Sequence, residues 1–476
     1  MIVADKHSRS RSVGAGLRGA GIAVLAAVLT SAPALAITPP TIDPTVPPPS
    51  GAPGPVAAME QHGECVSSGL LPGSNLSAAP AGQRMLDLST AWQFSRGEGQ
   101  TVAVIGTGIR PGPRLGAVEP GGDYIGTTDG LTDCDGHGTL VAGIVAGQPG
   151  DDGFSGVAPA ARLLSLRTAS AAISPRLGGD DPRTTRVITD ITALARAIVH
   201  AADLGARVIT ISTTTCLSAD RNVDQTALGA ALRYAAVEKD ALIVAAAGDA
   251  GQTGSVGGGG EACESNPLTD LSRPQDPRNW EGVTSLSVPS WWHPYVLSVG
   301  SLSSSGRPSG FTMAGPWVGV AAPGEDIVSV SNRDDGGLAN ALPGNQGRLV
   351  PLNGTGYAAG YVAGVAALVR GRYPDLTATQ VAHRIAATAH NTARAPSGLV
   401  GAGIIDPVAA LTWELPPAAD PAASPAKKIT PPPAPEPADP APRIVAFAGT
   451  ALLAGLVIAV ATGAAAAARR RKENQL

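Results

Sequence analysis

The sequence predicts an α/β fold in which a mostly parallel β-sheet carries helices on both faces. Short continuous apolar runs indicate strands that are buried on both sides. Helical patterns lie between these runs, and strands that alternate with helices indicate parallel crossover units rather than hairpins. The predicted strands are Thr101–Ile105, Arg162–Leu166, Arg207–Ile211, Ala241–Ala246 and Tyr295–Val299.

Two of the intervening segments have the apolar spacing of amphipathic helices. Ile188–Leu204 places its apolar side chains on one stripe and is ended by Gly205, and Asp224–Glu238 repeats the arrangement. Polar residues at the carboxyl ends of the strands are therefore where a site is expected.

The two ends of the chain differ from its middle. Residues 1–36 have a basic start, an apolar run and the sequence Ala34-Leu35-Ala36, the pattern of a cleaved signal peptide. An amphipathic N-terminal helix is the alternative, but the proline-rich stretch that follows could not extend it. The exported chain would begin with residues 37–81 as an N-terminal extension, followed by a folded domain over 82–413 that is long enough for a single core.

The C-terminal part has the pattern of a spacer and a membrane anchor. Residues 414–442 are rich in Pro and Ala, which indicates an extended, semi-rigid linker. Residues 443–468 are predicted to form a transmembrane helix, because the 25 residues from Ile444 to Ala468 carry no charge and could cross an apolar layer of about 30 Å. The basic tail, 469–476, would stay in the cytoplasm and leave the main domain on the extracytoplasmic side of the membrane.

Charge excludes one class of partner. The chain has 34 Lys and Arg against 38 Asp and Glu, and residues 1–36 and 469–476 together hold eight of the basic residues but two of the acidic ones. The exported part is therefore acidic, so nucleic-acid binding is not expected, since it needs a positive surface.

All four cysteines lie in the exported part, where an oxidising compartment favours two disulfides. Three pairings are open from the residues alone, and a zinc site is disfavoured because no two cysteines have ligand spacing. The cysteines are Cys65, Cys134, Cys216 and Cys263.

Four short motifs resemble those of the subtilisin-type serine proteases and occur in the same order. Asp135-Gly136-His137-Gly138-Thr139 matches the histidine motif, and Gly354-Thr355-Gly356-Tyr357-Ala358-Ala359 matches the serine motif. The strand that ends at Gly106 corresponds to the acid motif, and Ala247-Gly248-Asp249 to the motif of the oxyanion asparagine. In such enzymes the acid orients the imidazole, and the nucleophile opens a helix whose N-terminus favours negative charge.

More narrowly, the chain resembles the mycosins, the membrane-anchored subtilases of type VII secretion in mycobacteria and their relatives. The similarity runs from Leu86 to the C-terminus and includes 120–125, 133–139, 199–202, 315–324, 361–370 and 403–411. The resemblance implies a subtilisin-like fold, pairing of Cys65 with Cys134 and of Cys216 with Cys263, and an extension that wraps the domain. It also implies partners in the type VII secretion membrane complex.

The chain departs from the family pattern at three of the four chemical positions. His137 is the one triad residue that remains, because Gly106 replaces the aspartate and Gly356 the serine, while Asp249 replaces the asparagine that donates to the oxyanion. In subtilisin, loss of the serine alone lowers turnover by roughly 10⁶. Loss of an oxyanion donor lowers it by roughly 10² to 10³.

No substitute nucleophile is expected. Thr355 and Tyr357 flank the empty position, but adjacent side chains on a tight turn point in different directions, so neither should lie beside His137. A metal site at Asp133, Asp135 and His137 is disfavoured against a solvated loop with one vestigial histidine, and no metal or cofactor is expected.

The leading hypothesis is a proteolytically inactive mycosin-like protein that acts as an anchored scaffold or binding module outside the cytoplasm. The alternative is a subtilisin-family endopeptidase that processes secreted proteins through an unorthodox site. A third hypothesis is a peptide-binding module that accepts an extended segment of a secreted substrate beside Ser212 to Thr215 as an added strand. The sequence names neither the secretion system nor the contacting surface.

Overall fold

The computed structural model describes residues 37–176, 181–251, 261–268, 270, 272–344, 347–392 and 397–415, with scattered helical positions between 452 and 467. Two compact units are separated between Ala418 and Ala419. The predicted signal peptide, all of the predicted linker beyond residue 415, the basic tail and much of the predicted anchor lie outside the described residues. Among the described residues, no helix has both the length and the apolar character needed to cross a membrane.

The first unit contains one large sheet and several small ones. In chain order its strands are β1 (Met59–Gln61), β2 (Thr101–Gly106), β3 (Val118–Asp123), β4 (Arg162–Arg167), β5 (Ile173–Pro175), β6 (Val208–Ile211), β7 (Thr215–Ser218), β8 (Leu242–Ala246), β9 (Ser285–Val288), β10 (Val296–Leu302), β11 (Val318–Pro323), β12 (Ser329–Val330), β13 (Leu338–Ala339), β14 (Ala341–Pro343) and β15 (Leu349–Pro351).

Its α-helices are α1 (Ala81–Met85), α2 (Leu88–Ala91), α3 (His137–Ala146), α4 (Pro182–Asp203), α5 (Thr226–Arg233), α6 (Thr355–Arg372), α7 (Ala378–Ala387) and α8 (Pro407–Thr412). A π-helical turn, Tyr234–Glu238, continues α5. Local chemistry sets several of the starts. Asp181 and Asp406 each cap a helix that opens with proline, and Thr377 and Gln380 form a capping box at α7.

The large sheet has seven parallel strands in the order β11-β10-β8-β6-β2-β4-β3. Successive residues of a strand face opposite sides, and β2 shows this clearly. Val102 and Val104 join the core beneath α3 and α6, whereas Ala103 and Ile105 join the core beneath α4 and α5. Helices therefore cover both faces, as the sequence predicted.

The five predicted strands are confirmed to within a few residues, and each belongs to the large sheet. The first predicted helix begins earlier than expected, at Pro182, and ends at Asp203. The second is present as α5 and its π-helical continuation. Two sheet strands were not predicted, β3 at one edge and β11 at the other. The reason is plain for β3, which reads Val-Glu-Pro-Gly-Gly-Asp and lacks an apolar run.

Residues 37–80 lie along the surface of the first unit and pair with it at several points. Strand β1 pairs antiparallel with β5, and the hydroxyl of Tyr124 donates to the carbonyl of Gly51 at 2.8 Å. Further along, the backbone N–H of Ser68 donates to the side-chain oxygen of Asn332 at 2.9 Å. The cystine Cys65–Cys134 links this segment to the turn that precedes α3. Strand pairing, hydrogen bonds and a covalent link thus all hold the segment to the domain.

Candidate functional site

The turn that precedes α3 places His137 as the first residue of the helix. Gly136, the N-cap residue, has φ 74°, a left-handed conformation that glycine adopts without strain. The buried carboxylate of Asp133 accepts from the N–H of Gly136 at 2.9 Å and from the N–H and hydroxyl of Thr139 at 2.8 and 2.6 Å. It also accepts from the Thr107 hydroxyl at 2.9 Å, which fixes the turn to the end of β2.

His137 is buried, with 4 % of its surface exposed. Neither ring nitrogen makes a hydrogen bond of good geometry among the described residues, although the Ser212 backbone approaches the ring. Burial lowers the pKa of His137 to about 4, and the Ser212 backbone opposes that shift only in part. The imidazole is therefore neutral at pH 7, and no acid stands behind it to stabilise an imidazolium.

The ring of Tyr357 contacts that of His137, with ring centroids 4.8 Å apart. This corrects the expectation that Tyr357 would not lie beside His137. Burial, and then the charges of Asp249 and Asp133, raise the pKa of the Tyr357 phenol far above its usual range. The phenol therefore stays neutral and is a packing partner of the imidazole rather than an activated nucleophile.

Gly356 lies in the first turn of α6, directly against His137. A Cβ atom added at Gly356 would lie 2.9 Å from Nε2 of His137 and only 2.4 Å from the carbonyl oxygen of Ser212. The structure thus brings together the two positions that the motifs paired. It leaves no room between them for a side chain unless the backbone at Ser212 moves.

Gly106 is the last residue of β2, and its nearest neighbour is a side-chain atom rather than the backbone atom found at Gly356. A Cβ atom added there would lie 2.7 Å from the Ser212 hydroxyl oxygen and 3.9 Å from Cγ2 of Thr213, with no other non-neighbouring atom within 4 Å. The Ser212 hydroxyl is itself buried without a hydrogen-bond partner among the described residues. Ser212 therefore stands between the two glycines, its hydroxyl toward one and its carbonyl toward the other.

Asp249 is turned toward the start of α6. Its Oδ1 accepts from the backbone N–H of Thr355 at 2.8 Å and from the Thr355 hydroxyl at 2.7 Å. The N-cap residue, Gly354, has no side chain to cap the helix, so Asp249 caps it from another segment. Burial raises the pKa of Asp249 to about 6, and the two bonds from Thr355 oppose the rise. The Thr355 hydroxyl is engaged here and does not serve His137.

The strand edge considered for peptide binding is covered. Ser212, Thr213, Thr214 and Thr215 are all buried, none with more than 9 % of its surface exposed. An added strand needs free N–H and C=O groups along an accessible edge. A peptide could pair here only after a rearrangement of the surrounding chain.

Both cystines have the pairing that the resemblance implied, Cys65 with Cys134 and Cys216 with Cys263. The first lies next to the histidine turn, and the second joins β7 to the segment before β9. Within the described part of the chain, no group of three or more His, Cys, Asp or Glu residues could hold a metal ion.

Sequence reasoning placed Ser212 only on the cleft edge considered for peptide binding and did not predict its contacts with the two glycine positions. Its hydroxyl and carbonyl fill space at both glycine positions, yet nothing in the sequence around it marks such a role. One signal was available, because Ser212 directly follows β6, and residues at the carboxyl ends of parallel strands gather at one edge of the sheet.

Comparisons with known proteins agree with this geometry. The sequence profile of the Subtilase family matches residues 97–403. Mycosin-3 of Mycobacterium tuberculosis is 62 % identical over 461 residues, which cover 96 % of this chain and 99 % of the relative. Mycosin-1 of Mycolicibacterium smegmatis is 46 % identical, with 94 % of this chain and 97 % of the relative covered.

Two solved structures extend the similarity to the fold. A protease from the type VII (ESX-3) secretion system has a TM-score of 0.76 and 63 % identity, over 79 % of this chain and all of that chain. A chain of an intact ESX-5 inner membrane complex has a TM-score of 0.76 and 46 % identity, over 90 % of this chain and all of that chain. With the fold, the order of the motifs and both cystines in agreement, the chain belongs to the subtilase family and, within it, to the mycosins.

Proposed function

We propose that this mycosin is proteolytically inactive and acts as an anchored scaffold or binding module of a type VII secretion system. The observation that carries the proposal is the contact between His137 and Gly356. Acyl transfer needs a nucleophile within about 3 Å of the base, and the residue at that position has no side chain. The hydroxyls of Thr107 and Thr355 offer no replacement, because the first donates to Asp133 and the second donates to Asp249. The Ser212 hydroxyl has no such partner, but it faces the Gly106 position, whereas the Ser212 carbonyl faces Gly356.

The other two departures support inactivity. Gly106 supplies no carboxylate to orient the imidazole or to stabilise its charged form. Asp249 accepts hydrogen bonds at the start of α6, whereas an oxyanion requires donors. The three changes concern different steps of one mechanism, so restoring any one of them would leave the others missing.

The proposed place in a secretion system rests on the relatives. Solved chains of similar sequence and fold come from the ESX-3 system and from an ESX-5 inner membrane complex. The fold and both cystines are kept in this chain while the nucleophile is absent, which is what a role that depends on surface contacts requires. We place the main domain outside the cytoplasm, on the basis of the signal-peptide pattern, the apolar run of 444–468 and the basic tail.

A fluorophosphonate probe tests inactivity, because it labels an activated serine hydroxyl covalently. We expect no labelling of the purified full-length chain under conditions in which subtilisin is labelled fully. The matched variant is His137→Ala, which we expect to behave as the parent does. Labelling of the parent that disappears in His137→Ala would establish an unorthodox nucleophile and would contradict the proposal.

Co-purification tests the scaffold role. The full-length chain, tagged and expressed in its own host, should be recovered with type VII membrane-complex proteins after mild detergent extraction. A variant that ends at residue 442 keeps the exported domain and linker but lacks the predicted anchor. We expect weaker recovery of the complex with that variant; failure to recover any complex component with the full-length chain would reject the scaffold role.

A further inference from the structure

Arg278, in the segment that leads to β9, is a half-buried cation without an acidic partner. Its Nη1 donates to the carbonyl oxygen of Pro316. Burial lowers the pKa of Arg278, and no carboxylate of the described residues opposes that shift. The undescribed residues between 252 and 271 and over 393–396 include no Asp or Glu. A charge held out of water without a counter-ion is costly, so this guanidinium favours the binding of an anion.

A small surface pocket lies beside this guanidinium. Arg278 and Pro316 form part of its wall, together with Leu268, Ser397 and Gly398. Its free volume is about 10 Å³, which is enough for about one water-sized atom. A ligand can therefore place one terminal oxygen in the pocket, while the rest of the ligand stays at the mouth.

His293 lies in the field of the same guanidinium. Burial and then the charge of Arg278 lower the pKa of His293, whereas the Trp291 backbone raises it. The ring of His293 lies 5.3 Å from that of Trp280, and Trp280 lies 6.0 Å from Trp317, the residue after Pro316. His293 is therefore neutral near pH 7, and its titration reports on the charge at Arg278.

The charge and shape of the pocket favour a carboxylate among the common anions. Arg278 is the one charged residue among the described residues of its wall. A single positive charge matches a singly charged anion, and the planar guanidinium fork matches a planar carboxylate. Sulfate and phosphate are disfavoured, because they are bulkier and bring more negative charge than the wall balances.

The mouth of the pocket is apolar. Leu268 has 54 % of its surface exposed, and Pro267 and Pro316 also belong to the wall. A Cβ atom added to Gly398 would lie 3.6 Å from Cδ2 of Leu268, so the leucine side chain stands over the wall that Gly398 forms. An apolar group next to the carboxylate would bury this leucine surface.

We propose that this pocket binds a monocarboxylate that carries an apolar group beside its carboxylate, either an N-acylated amino acid or the C-terminal residue of a polypeptide. One carboxylate oxygen enters the pocket and accepts from the Arg278 guanidinium, and the apolar group packs on Leu268. The ligand binds as the anion, and no covalent bond forms or breaks. This binding goes beyond the scaffold role and does not depend on it.

Histidine-selective NMR of the purified full-length chain tests the proposal with N-acetyl-leucine as the probe. The His293 signal is identified by its loss in His293→Gln. A bound carboxylate offsets the charge of Arg278, so we expect the His293 pKa to rise by about half a unit or more relative to chloride of equal ionic strength. The half-effect concentration should be on the order of 1–10 mM for a ligand of this size. The neutral N-acetyl-leucinamide should leave the titration unchanged.

Three variants locate the site. Arg278→Gln should abolish the response to N-acetyl-leucine. Arg273→Gln, the matched control, should retain it, because Arg273 pairs with Asp270 and Glu281 and is not in the pocket wall. Gly398→Ala narrows the pocket, yet its Cβ would meet no atom closer than 3.6 Å, so the domain should tolerate it. It should raise the half-effect concentration about tenfold or more, and it is the second test if Arg278→Gln does not fold.

A tripeptide, N-acetylated Ala-Ala-Leu with a free carboxylate, distinguishes the two sources of the ligand. A half-effect concentration at least about tenfold below that of N-acetyl-leucine would assign the site to polypeptide C-termini, and an equal value would assign it to small acids. Either value supports a carboxylate site, since both probes carry the same terminal group.

An unchanged His293 titration with both probes would overturn the proposal. An equal response to N-acetyl-leucinamide or to sulfate would overturn it as well, as would a response that survives in both Arg278→Gln and Gly398→Ala. Fluorophosphonate labelling reports on proteolytic inactivity alone, so failure of either idea is recognised separately.

Discussion

The carbonyl oxygen of Ser212 lies where the side chain of a residue at position 356 would begin, 2.4 Å from a Cβ atom added to Gly356. Real Cβ atoms do not approach an oxygen that closely, so the Ser212 backbone has a position that only glycine at 356 permits. The cleft therefore has no room for a serine side chain at position 356, in addition to lacking the serine in its sequence. Restoring the chemistry would require a change in that shape.

The variant that combines Gly106→Asp, Asp249→Asn and Gly356→Ser should remain inactive. The aspartate introduced in place of Gly106 has space once the Ser212 hydroxyl rotates, but the introduced serine collides with a backbone atom that no side-chain rotation can move. We expect no fluorophosphonate labelling above that of the parent chain. Strong labelling of the triple variant would show that the Ser212 backbone moves easily and would contradict the closed geometry.

Gly356→Ser alone should destabilise the domain by about 1–3 kcal/mol, the usual effect of overpacking a rigid interior. Gly106→Ala is the matched control, because its added methyl group meets only a rotatable hydroxyl, and it should cost less. Denaturant unfolding of the two variants measures the difference. If Gly356→Ser lost no more unfolding free energy than Gly106→Ala, the backbone at Ser212 would move away from the new side chain at little cost.

Stability should fall as pH rises from about 4 to about 7. Burial raises the pKa of Asp249 to about 6, well above the ordinary aspartate value of 3.8 that the unfolded chain retains. Between those two values the folded state binds the proton more tightly, so protonation favours folding and ionisation at higher pH opposes it. Asp133 and Asp190, with pKa values raised by burial to about 6 and about 7, act in the same direction. His137, with a pKa lowered by burial to about 4, acts in the opposite direction and offsets part of the fall.

Asp249→Asn isolates one part of that pH dependence. The amide oxygen can still accept from the N–H and hydroxyl of Thr355, so the cap on α6 is kept while the charge is removed. We expect a higher unfolding midpoint than the parent at about pH 7.5 and a shallower pH dependence. If the unfolding midpoint changed with pH in the same way for Asp249→Asn and for the parent chain, Asp249 would not titrate in this range.

The cystine between Cys65 and Cys134 should stabilise the docked N-terminal segment. Replacing both cysteines with serine should cost about 2–4 kcal/mol and expose residues 37–64 to proteolysis. The matched control replaces Cys216 and Cys263, whose cystine lies elsewhere and should leave that segment protected. Mass spectrometry of limited digests distinguishes the two. Equal cleavage of residues 37–64 in both variants would show that β1 and its neighbours hold without the cystine.

The large sheet was predictable because its inner strands are unbroken apolar runs, such as Thr101–Gly106 and Leu242–Ala246. Strand β3 was not, since it lies at an edge and contains Pro120, Gly121 and Gly122. Helix α6 was anticipated only through its motif. It is buried from Thr355 to Arg370 and lacks the polar face by which amphipathic helices are recognised.

The positions of the site were predictable from motif order, but their spacing was not. The sequence showed that Gly356 replaces a serine; it could not show that the Ser212 carbonyl fills the resulting space. It also could not show that Tyr357 packs on His137 while Thr355 turns away to Asp249. Such details depend on how a backbone relaxes around a missing side chain, which composition and periodicity do not encode.

If the chain works through its surface without catalysis, secretion in its own host does not depend on His137. A strain that lacks the gene is complemented with the parent chain or with His137→Ala, and the type VII substrates in the culture filtrate are quantified against equal membrane levels of the two proteins. We expect equal secretion with both. Secretion restored by the parent chain and lost with His137→Ala would contradict it.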